Sequence, residues 1–231
     1  MPRMPRISVV IPAADEERAI ALVLREIPPV ASEIIVVDNG SRDRTAEVAR
    51  AAGARVVFEP RRGYGQACLA GIAAATGADI LVFLDADHSD YPGQLPDVLA
   101  PILAGEADLV IGSRVLGQRA PGAQPWHAVL GTRLCVALMN LFIGTRATDL
   151  GPFRAIGAAA LRRLEMRDRT FGWTVEMQVK AARHGLRVRE VPVDYRPRLG
   201  RSKVSGTLSG SVLAGAKILG TIARHAVSRA G

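Results

Sequence analysis

Short apolar runs that alternate with helical apolar spacing limit this chain to one class of fold. Residues 7–11 form a β-branched run, and Ile20, Val23 and Leu24 then recur at the three- and four-residue spacing of a helix. Residues 80–84 are apolar at every position, which is typical of a parallel strand buried on both faces. Strands that alternate with helices in this way predict a doubly wound α/β sheet.

Turn residues between these runs set the approximate bounds of the predicted elements. The predicted strands cover residues 7–11, 33–37, 55–58, 79–84, 108–111 and 187–195. The predicted helices cover residues 20–27, 43–53, 63–76, 126–143, 172–184 and 207–229.

Length and hydrophobic content predict a single domain. A chain of 231 residues with 48% hydrophobic residues is large enough for one sizeable core, and no linker divides the sequence cleanly. We expect residues 1–206 to form this domain, with halves at 1–112 and 113–206. The segment 207–231 is expected to be a C-terminal helix that either packs on the core or lies along a membrane surface.

Charge and composition narrow the classes of function. The formal net charge of +8 favours polyanionic partners such as nucleic acid, anionic lipid or phosphorylated small molecules. An aromatic content of 4% and the lack of a familiar DNA-reading motif argue against nucleic acid. Cys68 and Cys135 have no disulfide or metal-ligand spacing. We expect a cytoplasmic protein, either free or peripheral at the inner face of the membrane.

Acidic side chains follow several predicted strands, and ligands of doubly wound sheets bind beyond the carboxyl ends of the strands. Glu16 follows the first predicted strand, Asp38 the second, and Asp85 and Asp87 the fourth. Alternate spacing at a strand end can turn Asp85 and Asp87 toward one cation, and two carboxylates suit Mg²⁺ or Mn²⁺. The alternative is that Asp87 or Asp90 only caps the turn that follows.

A series of motifs along nearly the whole chain resembles one enzyme family. In chain order the motifs are Val9-Val10-Ile11-Pro12 with Glu16, residues 33–38 with Gly40-Ser41, Asp43-Arg44-Thr45, Gly63-Tyr64-Gly65-Gln66-Ala67, Asp85-Ala86-Asp87, Gly112-Ser113-Arg114, Asp149 to Arg154, residues 190–193 with Tyr195-Arg196, and Gly200-Arg201-Ser202-Lys203. They resemble the family 2 glycosyltransferases of the GT-A fold, particularly the dolichol-phosphate mannose synthase-like members. The resemblance implies a single GT-A domain with a Rossmann-like, mostly parallel central sheet flanked by helices.

The resemblance implies an inverting, metal-dependent enzyme whose first half, residues 1–112, binds a nucleotide-sugar of the GDP-mannose or UDP-glucose type. Pro12, Glu16 and Asp38 would contact the base and ribose, while Asp85 and Asp87 would hold the diphosphate and Mg²⁺ or Mn²⁺. The other implied substrate-binding residues are Ala14, Gly65, Ala86, Arg198, Ser202 and Lys203. The last three belong to a basic loop suited to gripping phosphates, although a solvated run of charge is the alternative.

The second half, residues 113–206, is the implied acceptor half. Arg114 and Arg133 match arginines that receive the phosphate of a polyprenyl or dolichyl phosphate. Such a phosphate is already ionised near neutral pH, so positioning and charge neutralisation can supply the rate without a general base. An acceptor hydroxyl would need a base, for which Asp149 is the candidate, although a turn residue is an equally good interpretation of Asp149. The predicted catalytic residues are therefore Asp87, Arg114, Arg133 and Asp149.

The chain departs from the family pattern beside the two aspartates. The family usually has Leu-Gln-His after the second aspartate, whereas this chain has His88-Ser89-Asp90 and so lacks the glutamine that helps to hold the metal. His88 or Ser89 could replace it, directly or through water. These changes leave the identity of the acceptor open.

Two other classes of protein compete with this interpretation. A dinucleotide-binding dehydrogenase is disfavoured, because Cys68 stands where the third glycine of a fingerprint beginning at Gly63 should be. A non-catalytic nucleotide-sugar-binding protein is the alternative from a different class. The two aspartates argue against it, because a pure binder needs no metal to stabilise a leaving group. The sequence predicts no particular oligomeric state.

Overall fold

A seven-stranded sheet forms the centre of the computed structural model, which describes residues 3–200 and the single residue Gly220. The strands are β1 (Ile7–Ala13), β2 (Glu33–Asp38), β3 (Arg55–Phe58), β4 (Ile80–Phe83), β5 (Leu109–Ser113), β6 (Arg154–Gly157) and β7 (Val188–Pro192). The helices are α1 (Ile20–Glu26), α2 (Thr45–Ala51), α3 (Tyr64–Ala74), α4 (Leu95–Leu103), α5 (Trp126–Ile143), α6 (Ala158–Leu164) and α7 (Trp173–Arg183), with a short 3-10 turn at Pro92–Gln94.

The strands pair in the order β3-β2-β1-β4-β6-β5-β7. β1 is parallel to β2 and β4, so that Val9 lies between Ile34 and Val82. β6 runs antiparallel to both of its neighbours, β4 and β5, and β7 is again parallel to β5. The predicted mostly parallel sheet flanked by helices is confirmed.

Alternate strand residues fill two separate cores, one on each face of the sheet. Val9, Ile11 and Val82 pack with buried residues of α1, α2 and α4. Val10 and Phe83 pack on the opposite face with buried residues of α3, α6 and α7. The sheet is thereby covered by helices on both faces, which is the arrangement that parallel strands require.

Helix α5 lies outside these two layers. Its buried side packs against α7 in a third cluster made of Cys135, Val136, Met139, Ile143, Leu150, Val175 and Val179. Its other side carries large hydrophobic residues that are exposed, namely Trp126, Leu130, Leu134, Leu141 and Phe142. The helix ends at Gly144, which adopts a left-handed backbone conformation with φ +78°. One apolar side of α5 is therefore in the core and another faces solvent.

Three elements, α4, β6 and α6, were not predicted from the sequence. Helix α4 carries Pro101 in its interior, where proline normally argues against a helix. Strand β6 has only four residues, too few for a clear pattern. The predicted strand at 187–195 ends at Pro192, which has no N–H to continue the ladder. The predicted helix at 207–229 and the domain boundary at 206 lie outside the described residues.

Helix α3 approaches β1 closely at Gly71, which leads to a stability prediction. A Cβ atom at Gly71 would lie 2.2 Å from Val10 Cγ1 in the core. We expect Gly71→Ala to destabilise the protein by about 1–3 kcal/mol through overpacking. The matched control is Gly131→Ala in α5, where a Cβ atom meets nothing within 4 Å. It should stabilise the helix by roughly 0.5–1 kcal/mol. Thermal unfolding of both variants checks the difference, and equal Tm values would contradict it.

Candidate functional site

A cavity of ≈ 280 Å³ opens beyond the carboxyl ends of β1 and β4. It is lined by Pro12, Ala13, Ala14, Glu16, Asn39, Arg62, Gly63, Tyr64, Ala67, Asp85, Ala86, Asp87, Phe171 and Arg198. Ligands of doubly wound sheets bind at this end of the strands. The fold therefore places the cavity where a substrate is expected.

The cavity brings together many of the residues that the sequence pointed to. The predicted substrate-binding and metal-binding residues among its lining are Pro12, Ala14, Glu16, Asp85, Ala86, Asp87 and Arg198. Sequence reasoning missed Asn39, Arg62 and Phe171. A signal existed for Asn39, which directly follows a predicted strand, and for Arg62, which precedes a glycine motif. Phe171 reaches the cavity from a distant loop and had no such signal.

Asp38 and Gly65 were predicted to bind substrate but do not line the cavity. Asp38 is buried, and its Oδ1 accepts a hydrogen bond from the backbone N–H of Ser41 at 2.9 Å. Gly65 donates its N–H to the Thr170 carbonyl at 3.1 Å, and a Cβ atom there would lie 2.2 Å from the Asp168 carbonyl oxygen. Asp38 and Gly65 each adjoin a lining residue in the chain, Asn39 and Tyr64, but do not line the cavity themselves.

Asn39 fixes the loop that forms one rim of the cavity. Its Nδ2 donates to the carbonyl oxygens of Glu59 at 2.9 Å and Arg61 at 2.8 Å. Its Oδ1 accepts the N–H of Gly63 at 2.8 Å. Three bonds from one buried amide hold residues 59–63 next to the start of α3, and this position presents Arg62 to the cavity.

Three carboxylates are gathered after β4. Arg198 Nη1 lies 3.0 Å from Asp87 Oδ2, and the Ser89 hydroxyl donates to Asp87 Oδ1 at 2.5 Å. Asp90 is 1% exposed, and both of its carboxylate oxygens are buried without a hydrogen-bond partner among the described residues. A buried polar group without a partner is costly, so this cluster has hydrogen-bonding capacity that the described residues leave unused.

Burial and the nearby charge of Asp87 raise the pKa of Asp85 to about 7, although the positive charge of Arg198 opposes this shift. Burial also raises the pKa of Asp90, and the charges of Asp85 and Asp87 act in the same direction. Burial disfavours the charged form of Arg198, but the charge of Asp87 raises the pKa of this guanidinium. One arginine thus compensates only part of the negative charge.

The chemistry of this cluster fits a divalent cation. Asp85 and Asp87 offer hard oxygen donors on the cavity wall. Within residues 3–200, no group of three or more His, Cys, Asp or Glu side chains is arranged to hold a metal ion by itself. Mg²⁺ commonly takes one or two protein carboxylates and completes its shell with water and substrate phosphates. Asp85 and Asp87 suit a site in which protein, water and substrate share the coordination of the metal.

His88 and Ser89, the two residues considered as replacements for the family glutamine, make different contacts. The Ser89 hydroxyl lies beside the candidate metal ligands, because it donates to Asp87. His88 instead hydrogen-bonds through Nε2 to Glu26 Oε1 at 2.7 Å. Of the two substitutes considered, only Ser89 is placed next to an Asp87 oxygen.

Arg114 and Asp149 form a buried ion pair beside the cluster. Asp149 Oδ2 accepts the Arg114 backbone N–H at 3.0 Å and Nε at 2.7 Å, and Oδ1 accepts Nη2 at 2.7 Å. The guanidinium also lies 5.0 Å from the centroid of the Tyr195 ring. Glu190 fixes Thr148, the residue before Asp149, because its carboxylate accepts both the N–H and the hydroxyl of Thr148. The result is a rigidly oriented Arg114.

This ion pair argues against Asp149 as a general base. Burial alone would raise the pKa of Asp149, but the charge and hydrogen bonds of Arg114 lower it below its usual value. Both carboxylate oxygens are already occupied by Arg114 and by the N–H of Leu150. A carboxylate in this state is a poor proton acceptor. The geometry favours the orientation of Arg114 as the role of Asp149.

The remaining predicted residues lie away from the cavity or outside the described chain. Arg133 is exposed on α5 and does not line the cavity. Ser202 and Lys203 lie outside the described residues. Asp87 and Arg198 are therefore in direct contact in the cavity lining, whereas Arg114 and Arg133 do not line the cavity.

Asp85→Asn is expected to stabilise the metal-free protein, and more so at pH 8 than at pH 5. An unfolded Asp titrates near a pKa of about 3.9, whereas in the folded protein the pKa of Asp85 is about 7. Between these values the folded state binds more protons, so stability falls as pH rises and stays low above pH 7. The neutral amide of the variant carries no such penalty. We expect its Tm gain, measured with a chelator present, to reach several degrees at pH 8.

The control for this prediction is Glu106→Gln at an exposed position outside the cavity, which should show no comparable gain. An equal Tm gain for Asp85→Asn at pH 5 and at pH 8 would contradict the raised pKa of Asp85 in the folded protein.

Comparison with known proteins places the chain in a family. Residues 8–171 match the family described as Glycosyl transferase family 2. An uncharacterized glycosyltransferase of Mycobacterium tuberculosis is 42% identical over 214 residues, covering 90% of this chain and 94% of that protein. The undecaprenyl-phosphate mannosyltransferase of Micrococcus luteus is 34% identical over 239 residues, covering 95% of this chain and 96% of that protein.

A solved structure supports the same assignment. The glucosyl-3-phosphoglycerate synthase of Mycobacterium tuberculosis, in complex with Mn²⁺, uridine diphosphate and glucosyl-3-phosphoglycerate, superimposes with a TM-score of 0.78 at 28% identity. The match covers 96% of this chain and 80% of that structure. The GT-A fold expected from the motifs is confirmed. The chain therefore belongs to glycosyl transferase family 2 and is a glycosyltransferase.

Proposed function

We propose that this chain is an inverting, divalent-metal-dependent glycosyltransferase that moves a hexose from a nucleoside-diphosphate sugar to a polyprenyl phosphate at a membrane surface. Two parts of the molecule support the proposal. The acidic cavity supports the donor assignment, and the exposed apolar side of α5 supports the lipid acceptor. The choice of a lipid acceptor rests on the exposed apolar side of α5.

The donor assignment follows from the charge and position of the cavity lining. Pro12, Ala14 and Glu16 line the cavity and are assigned to the base and ribose, while Arg62 and Arg198, also in its lining, are cations that can contact phosphates. A divalent cation held by Asp85 and Asp87 would neutralise charge on the diphosphate leaving group. The glucosyl-3-phosphoglycerate synthase structures contain Mn²⁺ with UDP-glucose, and the Micrococcus relative is a mannosyltransferase. UDP-glucose and GDP-mannose are therefore the donors to test first.

The acceptor phosphate is assigned to Arg114, a buried cation whose charge acts on Asp90 and whose orientation is fixed by Asp149. Its Nε and Nη2 are used by Asp149, so Nη1 is the nitrogen through which it would reach a ligand. A phosphate acceptor brings its own ionised nucleophile, so no side chain has to take a proton. Direct attack at the anomeric carbon then gives inversion. The low basicity of Asp149 agrees with this chemistry.

The exposed side of α5 indicates what the phosphate is attached to. Trp126, Leu130, Leu134 and Leu141 are all more than half exposed and fall within an arc of about 80° on the helix surface. Arg133 lies at the edge of that arc and is also exposed. Contiguous exposed apolar surface marks a binding site for protein, ligand or membrane. An apolar strip bordered by a cation matches the tail and the phosphate of a polyprenyl phosphate.

The same helix supports peripheral rather than transmembrane attachment. Within the described residues, α5 is the one helix long and apolar enough to cross a membrane by length and composition, with 22% of its 18 residues buried. Met139 and Ile143 nevertheless pack in the protein core against α7. A helix held in a core on one side and apolar on the other is suited to lie in the membrane interface.

A soluble phosphorylated acceptor is the second candidate. The synthase structures that match this fold contain phosphoglyceric acid or its glucosyl product. Arg114 could hold the phosphate of such an acceptor in the same way. What favours the lipid is the apolar side of α5, which a soluble acid does not need.

One assay tests the proposed function. The full-length protein is incubated with UDP-glucose or GDP-mannose, Mn²⁺, and either polyprenyl phosphate in detergent or 3-phosphoglycerate. We expect a lipid-linked product with an inverted anomeric centre. Transfer to 3-phosphoglycerate alone would support the second candidate. Donor binding without transfer or donor hydrolysis would indicate a non-catalytic binding protein.

Arg133→Gln is expected to reduce transfer to polyprenyl phosphate by at least about tenfold, because a charge-assisted hydrogen bond to phosphate is worth roughly 1.5–3 kcal/mol. Binding of the nucleoside diphosphate should be unchanged. Arg50→Gln is the matched control, since Arg50 is an exposed helical arginine on α2. Equal transfer rates for the two variants would remove Arg133 from the acceptor site.

Replacing Leu130 and Leu134 together with serine should lower kcat/KM for long-chain polyprenyl phosphate more than for a short, water-soluble prenyl phosphate. Each leucine that leaves water on binding contributes roughly 1.5 kcal/mol or more, so we expect a loss of about tenfold or greater with the long chain. Leu103→Ser on α4 is the control, with similar exposure of 51% against 59% and 54%. An equal loss with both acceptors would contradict a tail-binding role.

A further inference from the structure

Glu26 is the last residue of α1 and connects two segments of the cavity wall from outside the cavity. Its Oε1 lies 2.7 Å from His88 Nε2, and its Oε2 accepts a hydrogen bond from Arg196 Nη2 at 2.7 Å. His88 directly follows Asp87, and Arg196 stands two residues before Arg198. One carboxylate therefore ties the turn that carries Asp87 to the segment that carries Arg198.

Arg196 is bonded to the backbone of the same turn. Its Nε donates to the His88 carbonyl oxygen at 2.7 Å, and its Nη2 to the Asp90 carbonyl oxygen at 3.2 Å. Its backbone N–H donates to the Ser89 carbonyl oxygen at 2.9 Å, and the guanidinium lies 4.3 Å from the centroid of the Tyr91 ring. Arg196 thus binds the carbonyl groups of three successive residues, and Glu26 forms an ion pair with its guanidinium.

The two segments meet again at Asp87. Arg198 Nη1 lies 3.0 Å from Asp87 Oδ2, and the Leu199 N–H donates to the Asp87 carbonyl oxygen at 2.9 Å. Pro197 separates the two arginines, and proline fixes its own φ and restricts the residue before it. A displacement of Arg196 would therefore be passed to Arg198 through a stiff link.

The backbone at His88 also depends on these contacts. His88 has φ +62°, a left-handed conformation that residues other than glycine seldom adopt. Such a conformation persists when the surrounding structure holds it in place. Glu26 holds the imidazole ring, and Arg196 holds the carbonyl group, on either side of the unusual φ.

We propose that Glu26 is a positioning residue for the transfer reaction, which through Arg196 keeps Arg198 in register with Asp87 and ready for the donor diphosphate. The inference rests on the proposed function, because it assigns a diphosphate to Arg198. Glu26 does not line the cavity, so it acts on the donor indirectly. Of its two contacts, Arg196 leads to Arg198 and His88 leads to Asp87. This role of Glu26 extends the donor site to the end of α1, which no motif in the sequence indicated.

A double-mutant cycle on nucleotide affinity tests this role. Calorimetry measures binding of UDP and GDP, each with Mn²⁺, to the wild-type chain and to Glu26→Ala, Arg198→Ala and the double variant. We expect Glu26→Ala to weaken binding on the order of tenfold, as loss of a charge-assisted contact does. In the Arg198→Ala background the same change should have less than about a twofold effect, since the two residues act as one unit.

The controls separate positioning from general structural damage. Glu47→Ala removes an exposed ion pair with Arg44 on α2 and should bind nucleotide like the wild type. If Glu26→Ala does not fold, Glu26→Gln, which keeps the side-chain volume and one acceptor oxygen, replaces it in the cycle. Wild-type affinity in the Glu26 variant, or equal losses in both backgrounds, would overturn the inference. A wild-type protein that binds neither nucleotide would overturn the proposed function itself.

Discussion

The burial of three carboxylates at the end of β4 is the constraint on which the rest of the site depends. Asp85, Asp87 and Asp90 lie close enough to raise the pKa of Asp85 and Asp90, and Asp90 has no hydrogen-bond partner among the residues that the structure describes. Such an arrangement lowers the stability of a fold and persists where function requires it. The protein partly compensates with Arg198 and surrounds the cluster with a rigid frame. A bound cation and a phosphate-bearing substrate would complete the compensation.

The sheet topology explains why charges from both halves of the chain meet there. Arg114 directly follows β5, and Asp149 lies shortly before β6, which pairs antiparallel with both β4 and β5. The single reversed strand therefore carries Asp149 to the side of Arg114. Glu190, within β7, anchors the same segment through Thr148. Contacts from three neighbouring strands thus orient Arg114. No side chain has to move for these contacts to form.

Local pattern was sufficient for strands β1 to β4, for helices α1 to α3 and for the acidic ends of these strands, because period and turn chemistry are encoded in neighbouring residues. It failed at α4, where Pro101 hides a helix, and at β6, which is too short to show a period. It could not reveal the partner of Asp149, whose depressed pKa depends on Arg114, 35 residues away in sequence. Phe171 reaches the cavity, and Glu26 reaches His88 and Arg196 beside it, only through tertiary packing. Residues of this kind require the structure.

The proposed function assigns donor and acceptor binding to different parts of this molecule. The cavity proposed to bind the donor is built on β1 and β4 and would serve any nucleoside-diphosphate sugar, so it would not select the acceptor. In the proposed function Arg114 would bind a phosphate, which lipid and soluble acceptors share. Among the described residues, α5 is the element proposed to distinguish them, because its apolar side, with Leu134 and Leu141 exposed, would gain free energy from a hydrocarbon tail and none from a small acid. Within this fold, the acceptor class would therefore be determined by the surface of one helix.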